Sequence, residues 1–138
     1  MSKSSYPSRF IINSDYATLK NDAKGSVSVT IPNLVNTLAG GDNVVYRATL
    51  QIGASKSAGY RFYITSSKYG YAICSPAFDV PCKQSGYDTS FSCYIYRQGD
   101  SFVLEVVFIS NPDISLSYTD CGQTLTLHIQ SFIDPFDT

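Results

Sequence analysis

Polar and apolar residues exchange places at every step over Ser26-Val27-Ser28-Val29-Thr30-Ile31, and the run stops at Pro32. From Val44 to Ile52, one side carries Val44, Tyr46, Ala48, Leu50 and Ile52, and the other Val45, Arg47, Thr49 and Gln51. Tyr60, Phe62 and Ile64 oppose Arg61, Tyr63 and Thr65. Phe91, Cys93 and Ile95 oppose Ser92, Tyr94 and Tyr96, and Leu125, Leu127 and Ile129 oppose Thr124, Thr126, His128 and Gln130. A period of two puts alternate side chains on opposite faces of a strand, so each run predicts a strand with one buried and one wetter face. Phe102 to Ile109 is apolar on both faces except at Glu105. It predicts a central strand, or one covered on its second face by another segment or subunit. Shorter apolar runs predict strands at Phe10-Ile11-Ile12 and at Tyr69 to Ile73.

The breaks agree with the runs. Arg97-Gln98-Gly99-Asp100 separates two strong strands by a few residues including Gly, which is a hairpin signal. Ala39-Gly40-Gly41-Asp42-Asn43 reads as a loop, and Asn111-Pro112-Asp113 closes the long apolar strand. Ser14 or Asp15 can cap a short helical turn through Leu19, and Asn33 to Leu38 can form another. Neither is long enough for a crossover helix between parallel strands. Cys74 to Thr89, with two prolines and several small residues, predicts a long loop at one end of the fold. The expected fold is therefore all-β: an antiparallel β-sandwich or jelly-roll-like barrel of about seven or eight strands. Residues 1–13 form an N-terminal arm or first strand, and residues 14–138 a single sandwich domain.

Composition narrows the function classes. A chain of 138 residues, 43% hydrophobic, fits one domain with a true core. Only 15% of residues are charged, so Ser, Thr, Asn, Gln and Tyr must supply the surface, which suits close packing against neighbours. The net charge is -1, and Lys and Arg are scattered singly, with Arg47, Arg61 and Arg97 in or beside different strands. That is not the basic footprint of a nucleic-acid binder. The polar start, Met1 to Ser8, is no secretory signal, and no run approaches the ~20 apolar residues of a membrane span. Synthesis in a cytosol is expected, with the cysteines reduced. Of these four, Cys74, Cys82, Cys93 and Cys121, the nearest two have seven residues between them. Structural zinc sites pair cysteines roughly two to four apart, so no metal is expected.

Catalytic signals are missing. The one histidine, His128, lies on the polar side of an alternating strand and reads as an exposed strand residue. There is no nucleophile elbow, P-loop, EF-hand or dinucleotide fingerprint. Asp113, Asp120, Asp134 and Asp137 sit in turn-like contexts that favour Asp without catalysis. The expectation is a non-enzyme without cofactor. What stands out is aromatic: 11 Tyr and 8 Phe, but no Trp. Tyr63, Tyr94 and Tyr96 fall on polar strand faces. With Tyr6 and Phe10 of the arm they are the expected interface residues, because Tyr buries a large apolar body while its hydroxyl stays wet. Tyr69, Tyr71 and Tyr87 lie near loops, where they could stack on a sugar.

The opening block, Tyr6-Pro7-Ser8-Arg9-Phe10-Ile11-Ile12-Asn13-Ser14-Asp15-Tyr16-Ala17-Thr18-Leu19-Lys20-Asn21-Asp22, resembles the start of small structural proteins of tailed bacteriophages and prophages. The closing Leu125 to Phe136 looks compatible with the same group. The resemblance covers about a quarter of the chain. It implies a β-sandwich virion component that decorates the head or belongs to the tail or its fibres. Such a protein is made in the host cytoplasm and forms a homo-oligomer or packs against other virion proteins. The alternative is a carbohydrate- or receptor-binding sandwich whose partner is a surface glycan. Nucleic acid and membrane are not expected partners.

Overall fold

A computed structural model describes residues 9–19, 24–33, 37–38, 43–52, 58–70, 72–109 and 116–133. In chain order the strands are β1 (Arg9–Leu19), β2 (Lys24–Ile31), β3 (Thr37–Leu38), β4 (Asn43–Ile52), β5 (Ala58–Ser66) and β6 (Ala72–Ile73). They continue as β7 (Ala77–Gln84), β8 (Tyr87–Gln98), β9 (Ser101–Ile109), β10 (Leu116–Thr119) and β11 (Gln123–Ile133). The chain is all-β, with no helix among the described residues. Two sheets face each other as a β-sandwich. The larger has the order β1-β4-β9-β8-β7-β10-β3 and the smaller β2-β11-β5-β6. Every described pair is antiparallel except β1–β4, which is parallel.

Alternation decides what fills the space between the sheets. Val27, Val29 and Ile31 of β2 and Leu125, Leu127 and Ile129 of β11 point inward from the small sheet. Tyr46, Ala48 and Leu50 of β4, Phe91, Cys93 and Ile95 of β8, and Leu104, Val106 and Phe108 of β9 meet them. Phe108 is the aromatic centre: Phe91 lies 4.6 Å, Tyr118 5.1 Å and Tyr46 6.0 Å away, ring centre to ring centre. Burying such side chains stabilises the fold by roughly 1.5–3 kcal/mol each.

The structure departs from the sequence expectation in four places. The segment Ser14 to Leu19 is not a helical turn. It continues β1, which runs beside β4 with an irregularity between Asn13 and Asp15. Within Asn33 to Leu38, the described Thr37–Leu38 forms β3 rather than a helical turn. Cys74 to Thr89 is not a long loop, because β7 and the start of β8 occupy most of it as a tight hairpin. Its turn residues Ser85 and Gly86 both have positive φ, 50° and 86°. That is what a type I′ turn needs to match strand twist. Pro81 interrupts the sequence pattern, yet it pairs in register with Ser90. β10 covers the other side of β7 only at Lys83 and Gln84, and proline is tolerated where a strand is open on one side. Finally, the strand described within the Tyr69–Ile73 run is Ala72–Ile73, while Tyr69 and Gly70 lie outside it.

The second face of β9 behaves as a central strand should. Val103 and Glu105, with Val45 of β4, are buried on the side away from the inter-sheet core. That burial arises within a single chain. The loops at Ala39–Asp42 and Asn111–Asp113, and Asp134 and Asp137, lie outside the described residues.

Candidate functional site

The small sheet turns one face to the core and leaves the other to solvent. On that outer face the register builds side-chain rows across three strands. Gln130 of β11 pairs with Lys24 of β2 on one side and Arg61 of β5 on the other. The next row is Ser26, His128 and Tyr63, and the next Ser28, Thr126 and Thr65. β6 pairs through Ala72 with Thr65, and the chain leaving it places Cys74 beside this surface. The first two rows, with Ala72 and Cys74, line a groove of about 820 Å3 whose lining also includes Gly25, Phe62 and Ile129.

The groove has an aromatic platform. Tyr63 and His128 are direct cross-strand neighbours, and their rings stack at 4.6 Å with only 14° between planes. Thr65 Oγ1 lies 3.0 Å from His128 Nε2, which fixes the imidazole from the neighbouring row. His128 is thus half-buried and held on two sides, not a freely exposed strand residue. Tyr63 keeps 44% of its surface open. Beyond these rows the face is a field of hydroxyls that satisfy one another: Ser28 and Thr126 meet at 2.8 Å, Thr30 and Thr124 at 3.3 Å.

Charge is confined to the groove's end. Lys24 and Arg61 flank Gln130, and no Asp or Glu lines the groove among the described residues. Elsewhere Arg47 is held by Glu105 at 2.8 Å, Lys83 by Asp88 at 2.7 Å and Lys68 by Asp120, while Arg97 donates to the Gly99 carbonyl at 3.4 Å and stands 5.7 Å from the Tyr60 ring centre. Lys24 has no carboxylate partner among the described residues.

A second polar cluster lies on the outer face of the large sheet. Arg47 Nη2 donates to Glu105 Oε2, and the Tyr96 hydroxyl donates to the same oxygen at 3.0 Å. The hydrogen bond to Glu105 holds the Arg47 guanidinium above its ordinary range. Burial, then the Glu105 hydrogen bond, push the Tyr96 phenol up as well, so it remains a donor. This network sits beside buried Val45 and Val103 and reads as a structural clamp, with the buried Arg47 Nε left without a hydrogen-bond partner.

The tyrosines expected to form one interface are divided by the fold. Tyr63 stands on the outer face of the small sheet, whereas Tyr94 and Tyr96 stand on the outer face of the large one, on the opposite side of the molecule. Tyr94 is 42% exposed, but Tyr96 is half-buried in the Glu105 network. Phe10 enters only through the backbone of β1 opposite Val44, and Tyr6 and Tyr71 lie outside the described residues. Tyr69 and Tyr87 do not join the groove either. The Tyr69 hydroxyl donates to the Pro81 carbonyl of β7 at 3.2 Å, and Tyr87 opens β8 at the hairpin tip, 79% exposed. Sequence reasoning overlooked Lys24, Cys74 and Gln130 and set His128 aside. Alternation places Gln130 and His128 on a polar face, but only the register brings these residues together.

None of the four cysteines is in a disulfide: the Cys82, Cys93 and Cys121 thiols are buried and the Cys74 thiol is exposed. No group of three or more His, Cys, Asp or Glu able to hold a metal occurs among the described residues. No family model, curated protein or solved structure matches the chain.

Proposed function

We propose that this chain is a non-enzymatic β-sandwich module that works by binding, with the groove on the outer face of the small sheet as its contact surface. The observation that carries the proposal is the groove itself. A stacked tyrosine–histidine pair stands beside an amide, hydroxyls and two cations, in a space within the roughly 300–1,000 Å3 of small-molecule sites. Exposed aromatic faces next to fixed polar groups suit a carbohydrate, so a surface glycan is the proposed partner. The similarity of the opening block to tailed-phage structural proteins supports placing the module in a virion, on the head, tail or fibre. There it would pack against other virion proteins. Screening the full chain on a glycan array tests the binding role. Hits that Tyr63→Ala weakens about tenfold support it, and hits indifferent to that change refute the groove's part in it.

A second reading, packing in a particle, is favoured by Tyr94, an exposed aromatic on the opposite sheet. Light scattering after size exclusion tests it. A closed oligomer that Tyr94→Arg dissociates supports self-assembly through this face. A monomer of 15.1 kDa refutes self-assembly by the isolated chain.

A further inference from the structure

We infer that Cys82 and Cys121 form a redox-modification site: a small-molecule disulfide of the oxidised-glutathione type converts the two thiols to a Cys82–Cys121 bond that ties β7 to the turn leading into β11. The inference is independent of the groove and of its ligand.

The register brings the two residues together. β10 pairs with β7 at Tyr118 with Gln84 and Thr119 with Lys83, so the next position of β10 falls opposite Cys82. Val80 and Cys82 of β7 point into the core, and Tyr118 points inward onto Phe108. Regular alternation would therefore turn Asp120 inward to meet Cys82. Asp120 instead has a left-handed φ of 59°, and its exposed carboxylate is held by Lys68. One left-handed residue added at a strand end shifts the inward and outward phase by one. Cys121 thereby takes the inward place facing Cys82, and the two are 0% and 4% exposed. Facing residues of an antiparallel pair have Cβ atoms about 4.5–5.5 Å apart, and a disulfide needs about 3.5–4.5 Å. Closure asks for a shift of about 1 Å at the turn. Electrostatics agrees: after burial, Cys121 is the largest influence raising the Cys82 thiol to about 11.

The other cysteines are out of reach. Cys93 pairs with Phe78, four residues along β7 from Cys82, roughly 13 Å away. Cys74 follows β6 of the other sheet and lines the groove on its outer face.

While the strands stay closed, burial shields both thiols, so exchange begins when β10 opens. β10 is joined to β7 by two described residue pairs, and so short a contact opens at low cost. The Cys82 thiolate attacks the small disulfide and expels one small thiolate. The Cys121 thiolate then attacks the Cys82 sulfur of the mixed disulfide and expels the second. The chain loses two electrons and two protons, and the small disulfide takes up both and leaves as two thiols. Cys121 gives up its hydrogen bond to the Pro32 carbonyl at 3.2 Å, a loss limited by the weakness of S–H as a donor. Reducing surroundings keep the thiols and oxidising ones keep the bond.

The test incubates the full-length Cys74→Ser chain with oxidised glutathione, natively and in urea below the unfolding midpoint, where β10 can open. Trypsin cuts after Lys83 and Arg97, which leaves Cys82, Cys93 and Cys121 on three peptides. We expect the Cys82 and Cys121 peptides joined, two hydrogen masses lighter than their sum, with Cys93 still a thiol. Closing a loop of about 40 residues should raise the thermal midpoint by about 10 °C, and dithiothreitol should reverse the rise. Adding Cys121→Ala should abolish the join and the rise, whereas adding Cys93→Ala should keep both. A join through Cys93 overturns the pairing, as does glutathione on Cys82 or Cys121 with no join between them. Two thiols left unoxidised in urea overturn the site, and a join with an unchanged midpoint overturns the tie it makes.

Discussion

The Arg47–Glu105 pair gives the most quantitative expectation. Their side chains are 26% and 10% exposed, on a face that also buries Val45 and Val103. Arg47→Met keeps an apolar stem and deletes the charge, so the Glu105 carboxylate stays buried without its cation. Breaking a buried pair from one side costs about 3–5 kcal/mol, and the partial exposure of Arg47 puts this case near ~3 kcal/mol. Glu105→Leu leaves the guanidinium instead. Its stem lets it turn toward water, so the loss is smaller, about 1.5 kcal/mol. With both changes no charge is stranded, but the half-buried Tyr96 hydroxyl loses its acceptor, for a net loss of about 2 kcal/mol. The singles sum to about 4.5, so the coupling is about 2.5 kcal/mol. Urea unfolding of the four proteins, followed by tyrosine fluorescence because the chain has no Trp, yields all the terms at constant slope. A coupling below about 0.5 kcal/mol would equal that of a surface ion pair and refute the buried clamp.

Three further expectations follow from the core, the hairpin and the thiols. Phe108→Ala should cost about 3–5 kcal/mol, since a fully buried ring with three aromatic neighbours cannot be replaced by collapse. A loss under about 2 kcal/mol in the same unfolding assay would contradict that packing. Ser85→Asn should raise the thermal midpoint, by about 0.5 kcal/mol of stability, because Asn tolerates the φ of 50° better than Ser. Gly86→Val should lower stability by about 1–2 kcal/mol through the backbone alone, because nothing lies within 4 Å of a Cβ there. Equal effects of the two changes would rule out the type I′ turn. Burial, and next the nearby Cys121, push the Cys82 thiol up from 9.0 to about 11, and burial is also the main cause raising Cys93 and Tyr46. The native chain then keeps protons that the unfolded chain releases. The Cys82 contribution is fully present below about pH 9 and is lost as pH rises toward about 11. Urea midpoints should fall over that interval, less steeply in Cys93→Ala, and a flat profile would refute the buried thiols.

Much of the fold was legible because one-sided burial writes itself into alternation. β2, β4, β5, β8 and β11 each show it, β9 shows instead the two-sided apolar run of a central strand, and the Gly99 hairpin follows from its turn residues. β7 carries the same pattern, with Phe78, Val80 and Cys82 inward, but Pro81 and the neighbouring small residues obscured it. Ser14 and Asp15 are cap residues, so the sequence of β1 suggests a helical turn after its first apolar residues. The register irregularity at Asn13/Asp15, which a sequence does not display, absorbs them into a strand. The site was less legible. His128 and Tyr63 lie 65 positions apart, and only the β5–β11 register makes them neighbours. Likewise, nothing local in Tyr63 and Tyr94 tells that their strands belong to different sheets.

The β2–β11 pairing also governs when the groove comes into being. The Ser28 and Thr126 hydroxyls that meet across it are separated by 98 residues. At ribosomal rates of about 5–20 residues per second, β2 waits roughly 5–20 s after its own synthesis for β11 to emerge. Through that interval Val27, Val29 and Ile31 have no sheet partner, so this stretch is where a chaperone would engage the nascent chain. The larger sheet gathers its β4, β7, β8 and β9 strands earlier. A chain halted before β11 would therefore carry most of one layer and no groove, which ties binding competence to the completion of synthesis.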